Sequence, residues 1–535
     1  MSMFNESEDS ESEKSFGGVM SYFDNVIDGL SEAIRINPDD EESYCNRGAA
    51  YFYKEDYDNA INDFSEAIRI NPDNANAYFN RGQAYLDKKD YDNAVADLSE
   101  AIRISPDDEE TYYRRGETYF CKEDYDNAID DFSEAIRISP DNESAYCNRG
   151  AAYFYKKDYD NAIDDISEEI RINPDSEGAY YRRGLAYCNK TDYDNVINDL
   201  SKVIKINPDN EDAYYRRGWA YFYKEDYDGA VTDFSKAIKI NPDNEDAYYW
   251  RGQTYLNKND YDNAVADFSK TIQINPDNAD AYCKRGETYS CKSDYDNAIA
   301  DFSKTIQINP DYEEAYFERG LAYFLIKNDY DNAIADFSKA IQINPDYEEA
   351  YYWRGKIYSN KKDYDNAIAD YSKAIRIKPD NEDIANAYFE RGKAYLNKND
   401  SDGAINDFSK LIQIRTDNAE AYLYRGRAYF NKNDYDDAIA DFSKITQINP
   451  DDAFAYYWRG WAYFYKNDYD SAIDDYSKTI RIKPDYADAY YWRGDVYFKK
   501  GDKKNAEKDV VKALSIYPNN NDAKKLLEQI QKAEN

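Results

Sequence analysis

Proline recurs in this chain at a fixed interval, and that interval limits the available folds more than any other feature. Pro38, Pro72, Pro106, Pro140, Pro174, Pro208, Pro242, Pro276 and Pro310 stand 34 residues apart. The series resumes at Pro345 and Pro379, then at Pro450, Pro484 and Pro518. Arg-Gly keeps the same beat, from Arg47-Gly48 to Arg493-Gly494. Such a period means a stack of supersecondary units. A chain of 535 residues is also too long for one closed core.

Counting slots from Glu41 places Gly48 at slot eight. Slots four and eleven are Tyr in every unit, from Tyr44 and Tyr51 to Tyr490 and Tyr497. Slot twenty is Ala60 and its counterparts, with Val196 the exception, and slot twenty-four is Phe64, Leu98, Phe132 or similar. Slots four, eight and eleven share one face of a first helix. Slots twenty, twenty-four and twenty-seven share one face of a second. Asp56 stands where a cap should start the second helix, and Asn71-Pro72-Asp73 stops it. Glycine inside a helix costs about 1 kcal/mol relative to Ala, so slot eight implies close approach of another helix. Each unit has too little core of its own, and stacking supplies the rest.

The aromatic at slot four, Gly at eight, Tyr at eleven, Ala at twenty, Phe at twenty-four and Pro at thirty-two resemble the tetratricopeptide repeat signature. The resemblance runs from about Tyr22 to the C-terminus and recurs in fourteen units. It implies an all-α fold, a right-handed superhelical solenoid of helix-turn-helix repeats. Two departures are consistent: Tyr replaces the usual Trp at slot four, and Arg replaces the usual Leu at slot seven. Slot twenty-three is Asp in every unit, from Asp63 to Asp509. An Arg and an Asp that recur together predict a salt-bridge ladder between helices.

The expected organisation follows. Residues 1–21 are a disordered acidic tail and 22–40 a half-repeat helix, with Phe23, Val26, Leu30 and Ala33 in its apolar slots. Residues 41–381 hold ten repeats, 385–520 hold four, and 521–535 form a capping helix with Leu526, Leu527 and Ile530 on one side. One residue is inserted near Leu325-Ile326 and three at Glu382-Asp383-Ile384. Together with Ser401 in place of a Tyr and Thr416 in place of a Pro, the second insertion predicts either a bend over 382–416 or only a longer turn.

Composition narrows the function. The chain has 68 Lys+Arg against 107 Asp+Glu, a net charge of −39. That field repels nucleic acid and anionic lipid and favours basic or neutral protein partners. Histidine is absent, which removes the commonest general base and metal ligand. Six cysteines form no CxxC pair, which points to free thiols in a reducing compartment. The N-terminus has neither the basic nor the apolar region of a signal peptide, and no apolar run approaches the roughly 20 residues that span a bilayer. A cytoplasmic protein without cofactor, metal or catalytic constellation is expected.

In the resembling family the first helices line a concave groove. Slots two, six, nine and thirteen form its inward stripe, with five and twelve beside it. Here the packing slots hardly vary, whereas slots six and nine vary widely. Slot six reads Asn46, Asn80, Arg114, Asn148, Arg182, Arg216, then Trp250, Lys284, Glu318, Trp353, Glu390, Tyr424, Trp458 and Trp492. Trp219 and Trp461 occupy slot nine, so all six tryptophans lie in the two variable slots. The Asn/Arg series offers amide and guanidinium donors to a peptide backbone or carboxylate. The tryptophans are candidate anchors, or else simply cover the groove wall. Cys45, Cys147 and Cys283 take slot five, where small apolar filling outweighs reactivity. The carboxylate clamp of chaperone-binding relatives needs Lys at slot five and Asn at slot nine, and neither is present. The leading expectation is a non-enzymatic scaffold holding an extended partner segment. The alternatives are glycan binding on the aromatic platforms and end-to-end self-assembly.

Overall fold

The 34-residue unit folds as two packed helices, and the first repeat shows why. Its helices run Glu41–Tyr53 and Tyr57–Ile70 in this computed structural model, which describes residues 9–379 and 384–532. The Asp56 carboxylate caps the second helix, accepting from the Asn59 backbone N–H at 3.3 Å and from its side-chain amide at 2.8 Å. Between the helices Glu55 adopts φ 61°, a left-handed conformation that costs a non-glycine residue about 1 kcal/mol. Backbone hydrogen bonds offset that cost: Glu55 N donates to Phe52 O at 2.8 Å and Asp56 N to Tyr51 O at 3.0 Å. The same turn recurs at Lys89, Glu123, Lys157 and onward to Asn467, and Gly501 takes the position last with φ 84°.

Slot eight is glycine because the slot-twenty-four ring lies on it. A Cβ added at Gly48 would stand 2.9 Å from the Phe64 ring, and at Gly116 it would stand 2.8 Å from Phe132. Phe64, Phe132, Phe234, Phe268 and Phe302 are fully buried, as are the slot-twenty alanines beside them.

The chain divides into two compact units, 1–274 and 275–535. In each, consecutive helices pack in chain order. The first holds a leading helix, Asp9–Ile36, and seven repeats. The second holds seven repeats and the final helix, Asn521–Lys532. The division falls at the end of the seventh repeat. The leading helix also differs from the expected 22–40: its backbone is helical from Asp9, inside the stretch read as a disordered tail. The expectation of disorder over residues 1–8 lies outside the described residues. The final helix buries Ala523, Leu526 and Ile530 against Ala506 and Val510.

The first insertion is absorbed locally. The extra residue near Leu325 becomes a π-helical turn, Tyr323–Lys327, followed by Asn328 with φ 49°. A wider turn admits one more residue without moving the next helix start. Of the three residues at 382–384, the first two lie outside the described residues. Ile384 opens the helix Ile384–Asn397 and packs fully buried against Ile375 and Ala387.

Candidate functional site

The predicted ladder exists and holds the first helices in place. In every repeat Arg Nε and Nη2 both donate to one Asp. Arg217 does so to Asp233 at 2.6 and 2.8 Å, and Arg459 to Asp475 at 2.7 and 2.8 Å. Such paired bonds are the strongest form of the contact. Two further partners were not read from the sequence. Nη1 donates to a serine on the preceding repeat, as from Arg217 to Ser201 at 2.8 Å. The guanidinium also lies over the slot-four ring, as Arg217 does over Tyr214 at 5.8 Å. The two departures from the family signature are thus one feature: a Tyr face receives the Arg that replaces Leu. The signal for the serine was available, since slot twenty-five is Ser31, Ser65, Ser99 and so on to Ser477. It becomes Val511 in the last repeat, where no arginine follows.

The variable slots project on the other side of the first helices. Asn46 is exposed, and Asn80, Arg114, Asn148, Arg182 and Arg216 are half-buried. Several of these groups are engaged by their own chain. Asn148 donates to Tyr113 Oη at 2.9 Å. Arg114 meets Glu110 at 2.8 Å and Glu117 at 2.9 Å. Arg216 donates to Tyr181 Oη at 2.7 Å and to Asp212 at 2.9 Å. Arg182 meets Glu169 at 2.6 Å. The three arginines are therefore not free cations, and a partner's carboxylate has to compete for them.

The tryptophans come together as their slots imply. Trp219 and Trp250 meet edge to face with ring centroids 6.4 Å apart, and Trp461 and Trp492 lie 5.6 Å apart. Trp458 adjoins Trp461 at 5.1 Å, and the Arg427 guanidinium sits 5.3 Å from the Trp458 ring. Trp353 packs on Phe324 at 5.8 Å under Lys356. Tyr424 stacks on buried Phe408 at 5.6 Å, which makes it part of the wall. All six indoles are half-buried, so each both packs and presents a face.

The most exposed aromatics of this face belong to slot thirteen. Tyr53 is 66% and Tyr155 62% exposed, with Tyr223 and Tyr465 following. Each of the last three stacks on the slot-seventeen tyrosine of the preceding repeat, as Tyr155 does on Tyr125 at 5.6 Å and 7°. Slot thirteen varies among Tyr, Asn, Asp, Cys, Leu and Lys, which was the signal for it.

Charge on the face is uneven. In the eighth and ninth repeats Glu318 is pushed up to about 7 by burial and by the neighbouring Glu287 and Glu314, against the pull of Lys284. Burial raises the Cys45 thiol to about 11, and raises Cys283 further. All six cysteines are free. Among the described residues no group of three His, Cys, Asp or Glu side chains is placed to hold a metal ion. Among them, too, no helix is long and apolar enough to cross a membrane.

Paired helices repeated in tandem, with packing slots behind a varied face, define an α-helical repeat protein. Models described as TPR repeat match residues 118–156, 218–259, 252–290, 292–327, 324–362 and 460–501. Models described as tetratricopeptide repeat match 45–109, 143–176, 177–210, 348–381, 389–453 and 487–520. The chain belongs to the tetratricopeptide repeat family. Similar solved structures include the MamA protein, 31% identical, with a TM-score of 0.30 over 33% of this chain and 94% of that one. YrrB, titled a TPR protein with an unusual peptide-binding site, is 26% identical, with a TM-score of 0.33 over 35% and 95%. The Cut9-Hcn1 assembly of APC/C is 18% identical, with a TM-score of 0.31 over 91% and 96%. No curated protein matches the chain.

Proposed function

We propose that this protein is a scaffold that holds an extended segment of a partner protein along the face of its first helices. One observation carries the reading. Slots six, nine and thirteen vary widely from repeat to repeat, and on that face the variable side chains of successive repeats meet, as Trp219 meets Trp250 and Trp461 meets Trp492. Aromatic pairs of this kind, flanked by polar neighbours, are typical anchors of protein interfaces. The net charge of −39 favours a basic or neutral partner segment.

The test is capture of partner proteins by the full chain and by its Trp219→Ala/Trp250→Ala variant. Loss of a specific partner from the variant, at unchanged melting temperature, is the expected result. Equal recovery by both chains would count against the tryptophan pair, and binding to isolated polysaccharide would favour a glycan ligand instead.

A further inference from the structure

The fourth repeat breaks the pattern at two packing slots together. Slot twenty-four is Ile166, where most repeats carry Phe, and slot twenty-seven is Glu169, where every other repeat has an uncharged residue. Ile166 covers its glycine less closely than Phe does: a Cβ at Gly150 would stand 3.3 Å from Ile166 Cγ1, against 2.8 Å from Phe132 at Gly116. The space left is a cavity of about 210 Å³ lined mainly by Gly150, Ala151, Phe154, Ile166 and Leu185, with Arg182 as its charged member. Its lining includes slot six (Arg182), slot nine (Ala151 and Leu185) and slot twelve (Phe154), which belong to the varied face. A dry cavity of about 150 Å³ already accepts a benzene-sized group.

Glu169 supplies the second observation. It is only 3% exposed, and one oxygen accepts from Arg182 Nη2 at 2.6 Å. Its other oxygen, Oε2, has no partner, and neither has Arg182 Nε. A buried charge pair left half satisfied costs free energy. The uncharged residue of the other repeats would be more stable at this slot, so stability does not explain Glu169. An unmet acceptor and an unmet donor on two bonded groups match the N–H and C=O of an amide. Arg182, with 38% of its side chain exposed, has room to turn toward one.

We infer that this cavity is an anchor pocket for one apolar side chain of a partner peptide, whose main-chain amide is read by Glu169 and Arg182. The inference rests on the scaffold reading and names the chemistry of one of its subsites. The amide N–H donates to Glu169 Oε2, and the amide carbonyl accepts from Arg182 Nε. A leucine-sized side chain fills the space that Phe takes in other repeats.

The probe is N-acetyl-L-leucine methylamide, with N-acetylglycine methylamide as its counterpart, observed by saturation-transfer NMR on the full chain. Wild type is expected to bind the leucine probe about tenfold better than the glycine probe, the return on burying one aliphatic side chain. Ile166→Phe is expected to lose that preference, and Glu169→Ala to weaken both probes alike, because both carry the amide that Glu169 reads. Both restore residues found in other repeats, so both should melt no lower than wild type. Equal binding of the leucine probe by Ile166→Phe and wild type, or none by wild type, would overturn the pocket. If partner capture is still lost in Trp219→Ala/Trp250→Ala, the groove reading survives that failure. Capture unaffected by the tryptophan changes sinks the groove reading whatever the probe does.

Discussion

Arg391 donates to Asp407 through two hydrogen bonds of 2.7 Å and, across the inserted residues, to Ser372 at 2.8 Å. The serine stands 19 residues before the arginine here, against 16 in most repeats, yet the contact is unchanged. The tie between repeats is kept across the insertion. Asp407 is fully buried, the least exposed carboxylate of the ladder.

Removing that carboxylate leaves a guanidinium with no counter-charge in the interior. Asp407→Ala is expected to cost about 3–5 kcal/mol. Urea unfolding followed by hydrogen exchange should show the loss concentrated in the tenth to twelfth repeats, because a repeat contacts only its neighbours.

The slot-twenty-five serine makes a sharper contrast. Ser477 accepts from Arg493 Nη1 at 2.8 Å, whereas Val511 has no arginine after it. Ser477→Ala is expected to destabilise by about 1–2 kcal/mol, since the bond is charge-assisted. Val511→Ser, on a half-exposed position, should change the melting temperature little. Equal effects from the two substitutions would refute the tie.

The glycines divide by what lies over them. A Cβ at Gly116 would press on Phe132 at 2.8 Å, whereas at Gly29 it would meet nothing within 4 Å. Gly116→Ala is therefore expected to cost about 1–3 kcal/mol through overpacking. Gly29→Ala should add about 0.5–1 kcal/mol through helix propensity. Thermal melts of the two variants test the difference in sign.

Glu318 predicts a pH dependence. Its folded value of about 7 lies above the ordinary 4.5, so the folded chain retains a proton that the unfolded chain releases. That contribution is fully present below about 4.5 and is lost as pH rises through about 7. Glu318→Gln is expected to exceed wild type by about 1–3 kcal/mol at pH 8 and to match it near pH 4.5. The same difference at both pH values would exclude the proton as its cause.

Much of this architecture was legible in the linear chain because repetition turns a tertiary problem into a local one. A residue that recurs at Arg47, Arg81 and Arg115 with Asp63, Asp97 and Asp131 meets its partner in the same way in every unit or in none. Periodicity likewise placed Asp56 at a cap and Gly48 under a ring. The serine tie was visible in the same way once the unit was seen as reaching into its predecessor. Spacing also put Trp219 beside Trp250, because side chains at equal slots of stacked helices stand next to one another.

What the chain order could not decide is how much of each side chain its neighbours cover. Arg182 and Arg216 read as free cations, and only folding brought Glu169 and Tyr181 within reach of them. The cavity beside Gly150 is a volume left unfilled between two repeats, and no spacing rule measures volume. Exposure, pairing and empty space depend on which atoms from other segments arrive. Those atoms are set by packing, whereas the helices and their stacking order are set by a pattern that each 34-residue unit carries within itself.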